Sequence, residues 1–232
     1  MKLDDNFYKY PKPEYQEQNK RILNFFAYGV NRQYQKGNED TYEFMSLFNS
    51  EVPTSLRNPE NWLIKKYNAE FRKKTNGRLS YEKVVSFLED LLDDKIKISI
   101  EEDRNDNLKV IFKEQNTESI EFNLLSDGYK SVFTLLTDLL SRLAENQPNA
   151  EKITDFKGVV LIDELDLFLH PKWSYNIVKQ LKDKLPNIQF IITTHSPMLI
   201  LGAGKDALFY RMYKENGISK ILGPIENKNM SE

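Results

Sequence analysis

The stretch that most constrains this chain runs from Gly158 to Pro197 and reads GVVLIDELDLFLHPKWSYNIVKQLKDKLPNIQFIITTHSP. It opens on the apolar run Val159-Val160-Leu161-Ile162, which ends in two adjacent carboxylates, Asp163 and Glu164. A helical pattern follows. A second apolar run, Ile188 to Ile192, then ends in Thr193-Thr194-His195. Two short apolar runs separated by a helix predict a βαβ unit with a buried parallel sheet, strands 159–163 and 188–193 side by side. Ligands of open α/β sheets bind beyond the carboxyl ends of the strands. An acid pair and a histidine at neighbouring strand ends can hold a metal and activate water. Acidic residues after a strand also cap the next helix, which would account for an isolated Asp-Glu pair. Placement favours the functional reading, because Glu164 follows an Asp that ends an apolar strand and His195 ends the next one. The chain's two histidines, His170 and His195, both fall inside this stretch.

The rest of the composition narrows the class. The 232 residues suffice for one large domain or a domain with an inserted lobe, and 40% hydrophobic residues can bury a core. A formal net charge of −2 argues against binding a polyanion through bulk charge. The absence of cysteine excludes disulfides, thiolate metal sites and a cysteine nucleophile, and suits a cytoplasmic protein. No apolar run reaches ~18 residues, so no transmembrane helix and no membrane partner are expected. The polar start, MKLDDNFYKYPKPEYQEQ, lacks the apolar centre of a signal peptide.

Read in order, residues 1–41 give an irregular arm followed by a strand at 22–28, with Arg32 just past its end. An arginine there could meet a phosphate or lie on the surface. Residues 42–94 form a helical lobe. Asn58 caps a helix opened by Pro59, with Trp62, Leu63, Tyr67 and Phe71 on one face; Ser80 partly caps a second, whose buried face is Val84, Val85, Leu88, Leu91 and Leu92. Residues 95–123 switch to a period of two, which predicts two or three antiparallel strands with one wet face. Leu124-Leu125-Ser126-Asp127-Gly128-Tyr129-Lys130-Ser131 then feeds a long helix. Ser126 and Gly128 at its mouth offer a hydroxyl and open backbone N–H groups to an anion, while an ordinary N-cap by Ser126 or Asp127 explains the same residues. Strands are expected at 207–213 and 218–222.

Three pieces fall in a fixed order: LLSDGYKS, then LIDELDLFLHP, then ITTHSP. This order resembles the C-terminal half of an ABC-type ATPase head, of the AAA-like branch that includes chromosome-maintenance, recombination-mediator and overcoming-lysogenization-defect ATPases. The resemblance covers about 120–213. It implies an α/β, P-loop NTPase-like fold with a mainly parallel sheet and an inserted helical lobe, and ATP with Mg²⁺ as ligands. It also implies roles. Asp163 would be the Walker B aspartate that holds Mg²⁺ through water, and Glu164 the base for the attacking water. His195 would be the switch histidine at the γ-phosphate. Leu167 to Pro171, with His170, would be the D-loop across a dimer interface. Ser126, Gly128 and Lys130 would belong to the signature loop that meets nucleotide on an opposing subunit. Asp127 and Tyr129 depart from the usual signature residues and add a negative charge there.

A phosphate-cradling G-x-x-x-x-G-K-[ST] loop is expected before these motifs, and none of the nine glycines supplies it. Gly202-Ala203-Gly204-Lys205-Asp206 lacks the hydroxyl after Lys and follows the histidine motif. Gln33 and Gln35 are the nearest match to a Q-loop. The chain therefore reads as one incomplete head that needs a Walker A lobe from another chain or segment. The expected partners are such a chain or a second head, with nucleic acid or an effector nuclease further on, in genome maintenance or antiphage defence. A non-hydrolysing scaffold is the alternative. Lys65-Lys66 and Arg72-Lys73-Lys74 make the best basic cluster, and they also fit a solvated helix face.

Overall fold

A computed structural model describes residues 24–34, 47, 54–72, 79–92, 96–114, 117–167, 169 and 171–226. The N-terminal arm, most of 42–53, Gln35, His170 and the last residues lie outside this set.

The described elements begin with strands β1 (Phe25–Tyr28), β2 (Arg32–Tyr34) and β3 (Thr54–Leu56). Helix α1 (Pro59–Phe71) starts as expected, with Asn58 Oδ1 accepting from the Asn61 amide at 3.0 Å and Pro59 in the first turn. In α2 (Tyr81–Leu92) the face Val84, Val85, Leu88, Leu91 and Leu92 is buried, and Ser80 Oγ accepts from the Lys83 amide at 3.3 Å. Strands β4 (Ile96–Glu102), β5 (Leu108–Glu114) and β6 (Ile120–Glu121) form the antiparallel sheet that their period of two predicts. Helix α3 (Asp127–Asn146) follows, then β7 (Gly158–Ile162), α4 (Pro171–Lys184), β8 (Ile188–Ile192), α5 (Pro197–Gly202) and the hairpin β9 (Leu208–Glu215) with β10 (Ile218–Glu226).

The βαβ pairing holds, but the sheet is not buried throughout, since Gln189 and Ile191 of β8 are exposed. Strands β7 and β8 pair in parallel, with Val160 opposite Phe190 and Ile162 opposite Ile192. Strand β1 adds in parallel on the other side of β7, giving the order β1-β7-β8. Gly158 lets β7 lie close to the chain entering β1, since a Cβ there would stand 2.3 Å from the Asn24 carbonyl oxygen.

Helix α3 sits at the centre. Every residue from Val132 to Leu143 is buried, so the helix is covered on all sides. It packs on α1, α2, β2 and β3. One core joins Phe26, Val160 and Ile162 to Leu139, Leu88 and Val110, so α1 and α2 share the core of the parallel sheet.

A polar knot lies inside that core. Asp138 on α3 accepts from Tyr28 Oη at 2.9 Å, from the Arg57 amide at 2.9 Å and from Arg142 Nε at 2.7 Å. Arg142 Nη2 also donates to the Ser55 carbonyl at 3.1 Å. The knot ties the end of β1 and the β3–α1 junction to the middle of α3. A burial this deep for a carboxylate requires such partners.

Candidate functional site

Strand β7 ends at Ile162, one residue earlier than the sequence pattern predicts. The reason is Glu164, whose φ of 45° lies in the left-handed region and turns the chain off the sheet. Asp163 to Leu167 form a turn, with the Leu167 amide donating to the Glu164 carbonyl at 3.0 Å and the Leu169 amide to the Asp166 carbonyl at 3.0 Å. Simple strand alternation therefore does not separate Asp163 from Glu164. Their different partners do.

The sheet ladder runs one step past the strands and fixes this turn from both sides. The Asp163 amide donates to the Tyr28 carbonyl at 2.8 Å, the Thr193 amide to the Ile162 carbonyl at 3.0 Å and the Leu165 amide to the Thr193 carbonyl at 3.2 Å. Thr193 Oγ1 accepts from the Glu164 amide at 2.8 Å and donates to Asp163 Oδ1. Thr194 Oγ1 donates to Asp166 Oδ1 and accepts from the Ser196 amide at 2.9 Å. Each threonine uses its hydroxyl as donor and acceptor together, which orients a carboxylate and a backbone group at once.

His195 Nε2 lies 3.8 Å from Glu164 Oε1, with the His195 side chain 89% exposed and that of Glu164 38% exposed. The structure thus brings together Asp163, Glu164 and His195 at the carboxyl ends of β7 and β8. Both carboxylates lie where a ligand beyond the sheet could reach them. Among the described residues, no three of His, Cys, Asp and Glu form a closed metal cage. Mg²⁺ needs none, since one or two carboxylates with water and substrate phosphates commonly hold it. Asp163, already oriented by Thr193, fits that role.

The second predicted group is separate. Ser126 is the N-cap of α3, and its Oγ accepts from the Tyr129 amide at 3.5 Å. Lys130 Nζ lies 3.6 Å from Asp127 Oδ1 in the same turn. Gly128 is half-buried in that turn. Among the described residues no hydrogen bond or ion pair joins Ser126, Gly128 or Lys130 to Asp163, Glu164 or His195. The Tyr129 ring packs edge-on against Trp173 of α4, 4.0 Å between centroids, which gives that departure from the signature pattern a packing role.

Two features were under-read from sequence. Arg32 is partly buried and donates from Nη2 to the Glu164 carbonyl at 2.7 Å. Burial draws its guanidinium below its ordinary value, against the opposing pull of Asp163, Glu164 and Asp166. Its position just past β1 was the available signal. Thr193, Thr194 and Asp166 support the acid pair, and only the polar pattern at the two strand ends hinted at them. The glycine-rich Gly202 to Lys205 segment has a structural cause: a Cβ on Gly202 would lie 1.6 Å from the Tyr175 carbonyl oxygen of α4. Gly204 has a φ of 88°, open to glycine and strained for other residues.

A parallel α/β sheet with an acid pair at one strand end and a histidine at the next is a site suited to nucleotide hydrolysis. The chain belongs to an ATPase family described as AAA domain, putative AbiEii toxin, Type IV TA system, whose profile matches residues 12–201. It is 36% identical over 160 residues to the Retron Vc95 probable ATPase of Vibrio cholerae serotype O1 biovar El Tor, covering 65% of this chain and 28% of that protein. It is 35% identical over 157 residues to Septu protein PtuA of Bacillus mycoides (strain KBAB4), covering 68% of this chain and 19% of that one. The chain thus spans less than a third of the length of either relative. Among solved structures, the SMC head domain from Thermotoga maritima aligns with a TM-score of 0.44 and 25% identity, over 62% of this chain and 46% of that one.

Proposed function

We propose that this chain carries the hydrolytic half of an ATPase site and works with a Walker A loop from another chain or from a segment outside this sequence. The observation that carries the reading is the turn after β7. It holds Glu164 in a left-handed conformation, fixed by Thr193, and leaves its carboxylate facing His195 at the carboxyl edge of the sheet. A strained non-glycine residue held by its surroundings is a mark of a functional position.

In this reading Glu164 orients a water molecule and takes its proton as the water oxygen bonds to the γ-phosphorus of ATP. The bond from that phosphorus to the β–γ bridging oxygen breaks, and ADP and phosphate leave. His195 lies beside Glu164, where it can donate to a γ-phosphate oxygen. Asp163 would hold Mg²⁺, which would neutralise charge building on the phosphates. Ser126, Gly128 and Lys130 form the opposing surface of a second head, so ATP would draw two heads together. The retron and Septu relatives support a place in an antiphage-defence complex; an effector nuclease or nucleic acid is the downstream partner in this reading.

The deciding experiment uses the assembled head. Glu164→Gln keeps the shape and removes the base, so turnover should fall ~10²–10⁴-fold while ATP-dependent association persists. Asp163→Asn should instead weaken Mg²⁺-dependent nucleotide binding. Hydrolysis by the Glu164→Gln assembly at the wild-type rate would remove the reading.

A further inference from the structure

Arg32 opens β2 and pairs with Thr54 of β3, so its backbone is anchored away from the catalytic turn. Its amide also donates to the Val30 carbonyl at 3.1 Å. From that anchor the side chain reaches the Glu164 carbonyl at 2.7 Å, the same oxygen that accepts from the Leu167 amide at 3.0 Å. Its stem lines a small cavity with Ser131 and Leu135 of α3 and with Leu167 and Leu169 of the turn. Three carboxylates face its charge, from Asp163, Glu164 and Asp166. Its Nε is buried and has no hydrogen-bond partner among the described residues. The guanidinium therefore holds one peptide plane within the field of three carboxylates.

We infer that Arg32 is a positioning residue for Glu164, fixing the Glu164 carbonyl and hence the plane of the left-handed turn that aims its carboxylate at His195. The inference rests on the proposed role of Glu164. Thr193 Oγ1 holds the amide of Glu164 and Arg32 its carbonyl, and fixing the two peptide planes fixes φ and ψ and so the direction of the Cα–Cβ bond. Placement matters because a misplacement of about 1 Å can cost on the order of 10²-fold in rate. A residue that merely balanced the three carboxylates would need charge alone. A clamp needs an N–H whose direction is fixed by the rigid guanidinium plane, and lysine's rotatable ammonium lacks one.

Arg32→Lys separates the two roles, since it keeps the charge and changes the geometry. In the assembled head, kcat for ATP should fall by about 10- to 100-fold with KM within about twofold, the pattern of an interaction made in the transition state. The melting temperature should stay near that of the wild type. Arg32→Ala should lose turnover similarly, and millimolar guanidinium should restore part of it. In the chain alone, hydrogen exchange at the Leu167 amide should quicken in Arg32→Lys, because the carbonyl it shares with Arg32 loses its second anchor. Wild-type kcat in Arg32→Lys, or a change confined to KM, overturns the inference while leaving the role of Glu164 standing. Unchanged Leu167 exchange overturns it as well. Absence of turnover in the wild-type assembly removes the role of Glu164 itself, and the inference with it.

Discussion

Glu164 shows how function and stability oppose each other at one residue. An L-residue with a side chain in the left-handed region carries steric strain on the order of 1 kcal/mol, and Asn tolerates that region better than Glu. The strain persists because the Thr193 hydroxyl holds the Glu164 amide and Arg32 Nη2 holds its carbonyl. Glu164→Asn should therefore raise the unfolding free energy by up to about 1 kcal/mol while abolishing turnover. Denaturant unfolding of the variant beside the wild type checks the first part. A loss of stability would mean that Glu164 makes a contact worth more than its strain.

Helix α3 links the two groups of site residues at the scale of elements. Its first turn carries Ser126, Gly128 and Lys130, and its middle is locked to β1 and β3 through Asp138. The Asp138 side chain is 0% exposed and that of Arg142 8%. Asp138→Ala would remove from the core the carboxylate that Arg142 Nε, the Tyr28 hydroxyl and the Arg57 amide share. The expected loss is roughly 3–5 kcal/mol, measured by chemical denaturation. A smaller element gives a pH signature. In the β4–β5 turn the Asp103 carboxylate accepts from the Asn107 and Asn105 amides, which hold it below its ordinary value of 3.8. A lowered folded value means that the contribution is complete above the ordinary pKa and is lost as pH falls through the folded one. Amide exchange at Asn105 and Asn107 should quicken as pH falls below about 4, beyond the trend of neighbouring amides, and Asp103→Asn should lose that extra dependence.

At the scale of the whole molecule, the proposed function makes the site at the sheet edge one half of a larger one. Most ground-state affinity for phosphates in P-loop enzymes comes from the backbone cradle and its lysine. This sequence holds neither, so the chain alone should bind ATP weakly or not at all. Calorimetry on the isolated chain checks this, and submillimolar binding would show that the phosphates sit elsewhere. The hairpin β9–β10 carries a run of apolar side chains on its surface. Leu208, Tyr210, Met212, Ile218 and Ile221 are all exposed on it. A two-stranded hairpin is marginal by itself, and apolar surface of this kind marks interaction sites.

Local chemistry was legible in the sequence. The apolar runs at 159–162 and 188–192 specified adjacent parallel strands, although Gln189 and Ile191 leave one face of the second exposed. The period of two at 96–122 specified antiparallel pairing, and Asn58, Ser80 and Ser126 specified helix starts, because capping acts within a few residues of the chain. The strand-end position of Asp163, Glu164 and His195 was legible for the same reason. What the tertiary structure alone decided were contacts between residues far apart in the chain. The sequence placed Arg32 past a strand end without saying that it would cross 132 positions to the Glu164 carbonyl. It showed an aspartate within an apolar helix at 138, without naming Tyr28 and Arg57 as its partners. It showed Glu164 beside Asp163, and not the left-handed turn that gives each a different neighbour. A backbone conformation against local preference is selected by its surroundings, and those exist only once the sheet has formed.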